Sequence, residues 1–208
     1  MSRARMDGRV RLALSCGALA LAGCGDDDGD DALSAAAAKL RGIYEVEGYT
    51  RNEAGCDADG PSALEVLTEQ HLFMDSTTVF GQVVVHAISC TDVEDCRSKA
   101  TAFANQEIFG SELSFAFSAG GGDQITGLLR STGFSGGPED MCREPTRREL
   151  TLDVMAEGRI RIREESFVGD DYPEDSDGFC TTERGEQATA GKPCAELKVL
   201  TAAFLEAI

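Results

Sequence analysis

RELTLDVM (148–155), AEG (156–158) and RIRIREESFV (159–168) are the stretch on which the fold reading turns. Both arms alternate apolar and polar residues with period two, the spacing of half-buried strands. The three-residue loop between them fits a type I turn followed by a bulge, with Gly158 in the left-handed position, and pairs Met155 with Arg159. That register sets Val154 opposite Ile160 and Leu152 opposite Ile162 on one face, and Asp153 opposite Arg161 and Thr151 opposite Arg163 on the other. A two-residue loop would set Leu152 against Arg163 and mix the faces, so side-chain parity selects the longer loop.

Outward from this hairpin the same period recurs. Gly42 to Arg51 alternates Tyr44, Val46 and Gly48 with Ile43, Glu45 and Glu47, a first strand followed by a loop through Asn52, Gly55, Asp57, Asp59, Gly60 and Pro61. Strands are expected at Thr68 to Met74 and Phe80 to Cys90, the latter apolar on both faces through Val83, Val84, Val85, Ala87 and Ile88 and therefore central. Val93, Cys96, Ala100 and Phe103 are spaced for a short helix over Asp92 to Phe103, and Ala32 to Arg41 suits another. Glu112 to Ser118 and Gln124 to Thr132 read as a hairpin turned by the glycines of Ala119 to Asp123, while Gly169 to Gly178 is acidic and irregular.

The final segment, Cys194 to Ile208, supports two readings. Leu197, Leu200, Phe204 and Ile208 suit a helix, whereas Leu197, Val199, Thr201, Ala203 and Leu205 suit a strand. The strand is preferred, because it would pair with the first strand and remove two exposed edges. The expected fold is thus mainly β: an antiparallel meander of about eight strands forming a barrel or barrel-like sandwich, with one or two short helices.

The N-terminus carries a different message. Arg3, Arg5, Arg9 and Arg11 stand against a single acid, Asp7, ahead of an apolar run from Leu12 to Gly23, the layout of an export signal too short to span a bilayer. Leu21-Ala22-Gly23-Cys24 closes it and resembles the lipobox of bacterial lipoproteins. Cys16 is the weaker alternative, since Ala13-Leu14-Ser15 lacks that order, and an ordinary secretory signal with a chance cysteine is the plainer one. The lipobox resemblance implies cleavage before Cys24, acylation of its thiol and anchoring to a membrane. Gly25, where retained Gram-negative lipoproteins carry aspartate, implies the outer membrane of the cell envelope. The organisation expected is a signal over 1–23, an acidic tether over 24–32 and a single β domain over 33–208. Two acyl chains at about 0.8 kcal/mol per buried CH₂ suffice for a stable anchor.

Of eight cysteines, setting aside Cys16 and Cys24 leaves six, an even set that reads as three disulfides in an exported chain. Fifteen pairings are formally open, and spacing favours Cys90 with Cys96, Cys180 with Cys194, and Cys56 with Cys142. A zinc site is a poor reading, because there is no C-x-x-C and His71 and His86 fall outside finger spacing. The net charge is −18, and loss of four arginines and one aspartate with the signal takes it to −21. Such acidity excludes nucleic acid as a partner and disfavours an anionic lipid surface; it keeps the chain soluble and permits divalent cations or basic partners.

The remaining motifs are weaker. Gly133-Phe134-Ser135-Gly136-Gly137 satisfies G-x-S-x-G, but no helix can follow through Pro138 to Pro145 and no histidine comes after the serine, so a hydrolase is disfavoured. Asp170, Asp171, Asp175 and Asp177 are candidate calcium ligands, although Pro173 and Arg184 occupy the first and last positions an EF-hand needs; an ordinary loop is preferred. Arg159, Arg161 and Arg163 form an anion site or, better, a charge-paired face. His86, amid the valines, reads as a structural histidine needing a partner. Gly42-Ile43-Tyr44 resembles in part the G-x-W signature of lipocalins, with tyrosine in place of tryptophan and the likeness confined to one strand. It implies a lumen that carries a hydrophobic small molecule. The expectation is a non-enzymatic, lipid-anchored binding or interaction module that engages other envelope proteins, with the apolar carrier as alternative.

Overall fold

A computed structural model describes residues 28–56, 63–64, 69–80, 82–105, 114–131, 133–135 and 141–208. The signal region, Cys24 and Gly136-Gly137 lie outside the described residues. The chain runs α1 (Asp28–Leu40), β1 (Gly42–Asn52), β2 (Ala63–Leu64), β3 (His71–Val79), β4 (Gln82–Cys90), α2 (Val93–Ala104), β5 (Ser114–Phe117), β6 (Ala119–Gly121) and β7 (Gln124–Ser131). It continues β8 (Phe134–Ser135), β9 (Met141–Arg143), β10 (Thr146–Val154), a 3-10 turn (Ala156–Gly158), β11 (Arg159–Val168), β12 (Tyr172–Pro173), α3 (Thr182–Thr189) and β13 (Glu196–Glu206).

The main sheet follows the path β5-β4-β3-β1-β13-β11-β10-β7-β6, antiparallel throughout, with β2 beside β1. Its two ends are consecutive chain, parted only at Ser118, whose N–H donates to the Thr126 carbonyl at 2.9 Å. The first half of this bent strand pairs with β4 (Phe115 opposite Ala87) and the second with β7 (Ala119 opposite Thr126), so the sheet turns back on itself. With β5 and β6 counted as one strand, the result is a nearly closed barrel of eight strands in chain order. Gly127 sits where β7 passes β5, and a Cβ there would collide with the Ala116 carbonyl.

Alternation decides what fills the barrel. Tyr44, Leu72, Met74, Val85, Phe115, Phe117, Ile125, Leu150, Leu152, Ile160, Ile162 and Leu200 form one buried cluster, joined by Leu33, Ala36, Ala37 and Leu40 of α1. Those four stand at i, i+3, i+4 and i+7, one face of a helix. Ala32 lies over Gly121, the Leu40 carbonyl accepts the Tyr44 hydroxyl at 3.0 Å, and Arg41 reaches Asp75 at 3.4 Å, so α1 lies across the barrel mouth at which β1 begins. On the outer face, α2 covers β3 and β4 through Ile43, Phe73, Ile88, Cys96 and Phe103. Asp92 caps this helix by accepting the Asp95 N–H.

The opposite mouth carries the long connections and three disulfides, Cys56–Cys194, Cys90–Cys96 and Cys142–Cys180, with Cα separations of 5.5, 5.2 and 5.6 Å. Pairing Cys180 with Cys194 and Cys56 with Cys142 is thereby corrected. The β1–β13 ladder places Asn52 opposite Leu197, which carries Cys56 and Cys194 to the same place, while α3 separates Cys180 from Cys194. The small sheet β12-β9-β8 sets Tyr172 opposite Cys142 and brings that cysteine to Cys180.

The 148–168 hairpin has the expected register, Val154 opposite Ile160 through Thr151 opposite Arg163. Its loop differs: Glu157 (φ 62°) as well as Gly158 (φ 73°) is left-handed. The helix expected over Ala32 to Arg41 begins earlier, at Asp28, upstream of the Leu33–Leu40 face that packs on the barrel. Ala119 to Gly121 is strand, not turn, since these residues complete the closure onto β7. The short α3, polar and capped by Thr181, carries too weak an apolar period to be expected.

Leu152 is fully buried at the barrel centre, and Leu152→Ala is expected to cost about 2–5 kcal/mol in denaturant unfolding. Phe80 is 98% exposed at φ 52°, a conformation that bulky residues avoid. Phe80→Asn is therefore expected to leave stability unchanged or raise it by up to about 1 kcal/mol, measured the same way. Non-reducing peptide mapping should recover Cys56 with Cys194 and Cys142 with Cys180.

Candidate functional site in the barrel lumen

The half of the lumen facing the stapled mouth is charged. Along β11, Ile160 and Ile162 point inward, and the same parity delivers Glu164, whose side chain is only 5% exposed. Along β13, Ala202 and Leu200 are followed by Lys198 on that face. A register shift in β1 between Val46 and Gly48 changes which residues look inward, so Tyr49 stands opposite Leu200 and Arg51 opposite Lys198.

Lys198 Nζ lies 3.1 Å from Glu164 Oε1 and 3.3 Å from Glu196 Oε2. Arg51 Nε donates to Glu196 Oε1, and the same guanidinium reaches Glu53 at 3.3 Å. Anion and cation thus alternate from the buried Glu164 outward to Glu53. Burial alone would raise the Glu196 carboxyl, but the bonds and charges of Arg51 and Lys198 outweigh it and hold the group below its ordinary range. Burial would likewise lower Lys198, and Glu164 and Glu196 outweigh that, so the ammonium is held above its usual value. Deeper still, burial pushes the Tyr44 phenol to about 12.

Beside the network lies a cavity of about 30 Å³, lined by Leu72, Phe115, Leu200 and Tyr49 with Glu164 and Lys198 at its polar side. That is room for about one water. Chemically, the arrangement is a row of alternating, paired charges, three carboxylates and two cations, with no free nucleophile or base aimed at an open cleft among the described residues.

The residues singled out in the sequence are dispersed. Asp170 pairs with Lys192, Asp171 Oδ1 accepts the Glu144 N–H at 3.1 Å, and Asp175 Oδ1 accepts the N–H groups of Asp177 and Phe179 at 3.0 and 2.8 Å. Among the described residues, no group of three or more His, Cys, Asp or Glu side chains is arranged to hold a metal ion. Arg159, Arg161 and Arg163 pair with Glu47 (3.0 Å), Asp153 (2.7 Å) and Glu165 (2.6 Å), the charge-paired face. Ser135 lies in β8 opposite Cys142. His86 Nε2 meets the Thr77 hydroxyl at 2.9 Å, and its ring meets the Phe103 edge; burial, partly opposed by Asp75, holds the imidazole below its ordinary pKa.

Sequence reasoning passed over Glu164, Lys198, Glu196 and Arg51. A signal existed for Glu164, since it continues the inward parity of Ile160 and Ile162. No family model, no curated protein and no solved structure matches the chain.

Removing Lys198 leaves Glu164 buried without its cation, so Lys198→Met is expected to cost about 3 kcal/mol, and the added change Glu164→Leu to recover most of it. The pH dependence follows in sign. The depressed Glu196 contributes stability that is present above 4.5 and lost as pH falls, and the raised Lys198 contributes stability present below 10.5 and lost as pH rises. Below 6.5, His86 takes up its proton more readily in the unfolded chain and also favours unfolding. Above 10 the unfolded chain ionises Tyr44 more readily than the fold does, so thermal midpoints should plateau between 6.5 and 10 and fall on either side, and Glu196→Gln should flatten the acid limb.

Proposed function

We propose that this is a lipid-anchored cell-envelope protein, attached through Cys24, that works without catalysis as an interaction module for other envelope proteins. The observation that carries the reading is how the described residues fill the lumen: α1 occupies one mouth, an ion network lies toward the other, and the cavity they leave beside that network is about 30 Å³, room for about one water. A carrier of a small apolar molecule needs a cavity of several hundred Å³, so the lipocalin-like alternative draws no support from this interior.

What remains available to a partner is the surface. The stapled mouth presents the long connections, where Phe134 and Phe179 are 70% and 65% exposed. Three cross-links fix the loops in place, which lowers the ordering cost of binding.

Native mass spectrometry of the purified protein should find no bound small molecule, and a stoichiometric apolar ligand would restore the carrier reading. Intact mass should show a chain starting at Cys24 with acyl groups added, and Cys24→Ser should move the protein from the membrane to the soluble envelope fraction.

A further inference from the structure

The geometry points to a membrane-inserting finger at the tip of the β3–β4 hairpin, with Phe80 as the residue that enters the bilayer interface. This rests on the lipid-anchored reading of Cys24. Three residues separate Cys24 from Asp28, the first residue of α1, and the four residue steps between them span at most about 14 Å when extended. α1 lies across the mouth ringed by the β3–β4, β6–β7 and β10–β11 turns, where Ala32 rests on Gly121 and the Val154 N–H donates to Asp123. An acyl chain on Cys24 therefore holds this mouth, and no other part of the barrel, against the bilayer.

The same mouth carries much of the exposed apolar surface. Val79, Phe80, Met155, Phe204 and Leu205 are five of the nine large apolar side chains exposed among the described residues, and all five sit on its rim. Between residues 31 and 40, the exposed positions of α1 carry only two charges, Asp31 and Lys39, among alanines and Ser34. The β3–β4 hairpin runs on past its neighbour β1. β1 begins opposite Met74, so Asp75 to Val79 pair with β4 alone, and the arm extends about 17 Å past the start of β1.

Phe80 caps that arm with its side chain 98% exposed and its backbone left-handed. The side chain stabilises nothing within the fold, and the backbone conformation costs stability where asparagine or glycine would not. A strained, exposed aromatic at the turn of an arm on the membrane-facing rim is accounted for by burial outside the protein. The acidity of the chain as a whole suits a bilayer of low surface charge, which the finger enters while the body stays off.

The chain has no tryptophan, so Phe80→Trp supplies a single fluorophore. The acylated full chain carrying it is placed in phosphatidylcholine vesicles with and without lipid brominated along the acyl chain; Val79→Trp serves as a second reporter on the arm and Phe179→Trp as one on the far mouth. Both arm variants should emit at shorter wavelength than Phe179→Trp and lose most of their emission to brominated lipid, while Phe179→Trp loses none. Water-like, unquenched emission from both arm variants, in protein whose intact mass shows acylation at Cys24, would overturn the finger and leave the anchor standing. A mass without acyl groups would overturn the anchored reading itself. Quenching equal at both ends would also sink the proposal, because it denies the orientation.

Discussion

The pairing of the first long strand with the last holds the rest of this structure in place. β1 and β13 are joined by a ladder from Ile43 opposite Glu206 to Asn52 opposite Leu197, between residues some 145 or more apart in sequence. Without it the meander would be an open sheet with two bare edges and a half-exposed apolar face. With it, the odd arrangement at the far side, a single strand bent at Ser118 and shared between β4 and β7, has only to bridge a gap already brought to length. Loop closure over so long a separation costs entropy that grows slowly with length. Cys56–Cys194, at the end of the same ladder, cross-links the two strands covalently where they leave the barrel.

Closure also separates the molecule into two unlike ends. Short turns and a capping helix finish one mouth; long cross-linked connections finish the other. The core between them is conventional hydrophobic packing, and buried side chains such as Leu152, Ile162 and Phe117 each contribute on the order of 2 kcal/mol. The helix is part of that core, since Leu33 and Leu40 are as buried as the strand residues they meet. The N-terminal helix is therefore as much a part of the barrel as its strands, and it plugs one mouth.

Much of this was legible in the sequence because period-two alternation is a physical requirement of a sheet with one face inside. The parity test on 148–168 fixes the register of β10 and β11 from Leu152, Val154, Ile160 and Ile162 alone, and the argument from bare edges selects strand over helix for Leu197 to Leu205. That same closing pair implied Cys56 with Cys194, because it sends both residues off one end of one ladder. Local spacing, which favoured Cys180 with Cys194, ignored the tertiary pairing. α3 and the β12-β9-β8 sheet were not legible: they are short, lack apolar period, and are held by the cross-link between Cys142 and Cys180. The lumen charges were missed for a different reason. Charged residues are ordinarily assigned to the solvent face, yet in β11 and β13 alternation places Glu164 and Lys198 inside.

Why a barrel should place charges where leucine would fit follows from what such a pair does. A buried ion pair contributes little net stability relative to apolar residues of the same volume, because desolvation offsets the attraction. Its effect on register is larger. A slip of one residue between β11 and β13 would turn Lys198 to the outer face and leave Glu164 buried without a cation, whereas a slip among Ile160, Ile162, Leu200 and Ala202 alone would set apolar residues against others nearby in kind. Arg51 and Glu196 extend the same constraint to β1, so the three strands that close the barrel are held in one mutual alignment by a single chain of opposite charges. The apolar half of the lumen stabilises the barrel and sets most of its register, and the charged half adds a penalty against slippage among β1, β13 and β11.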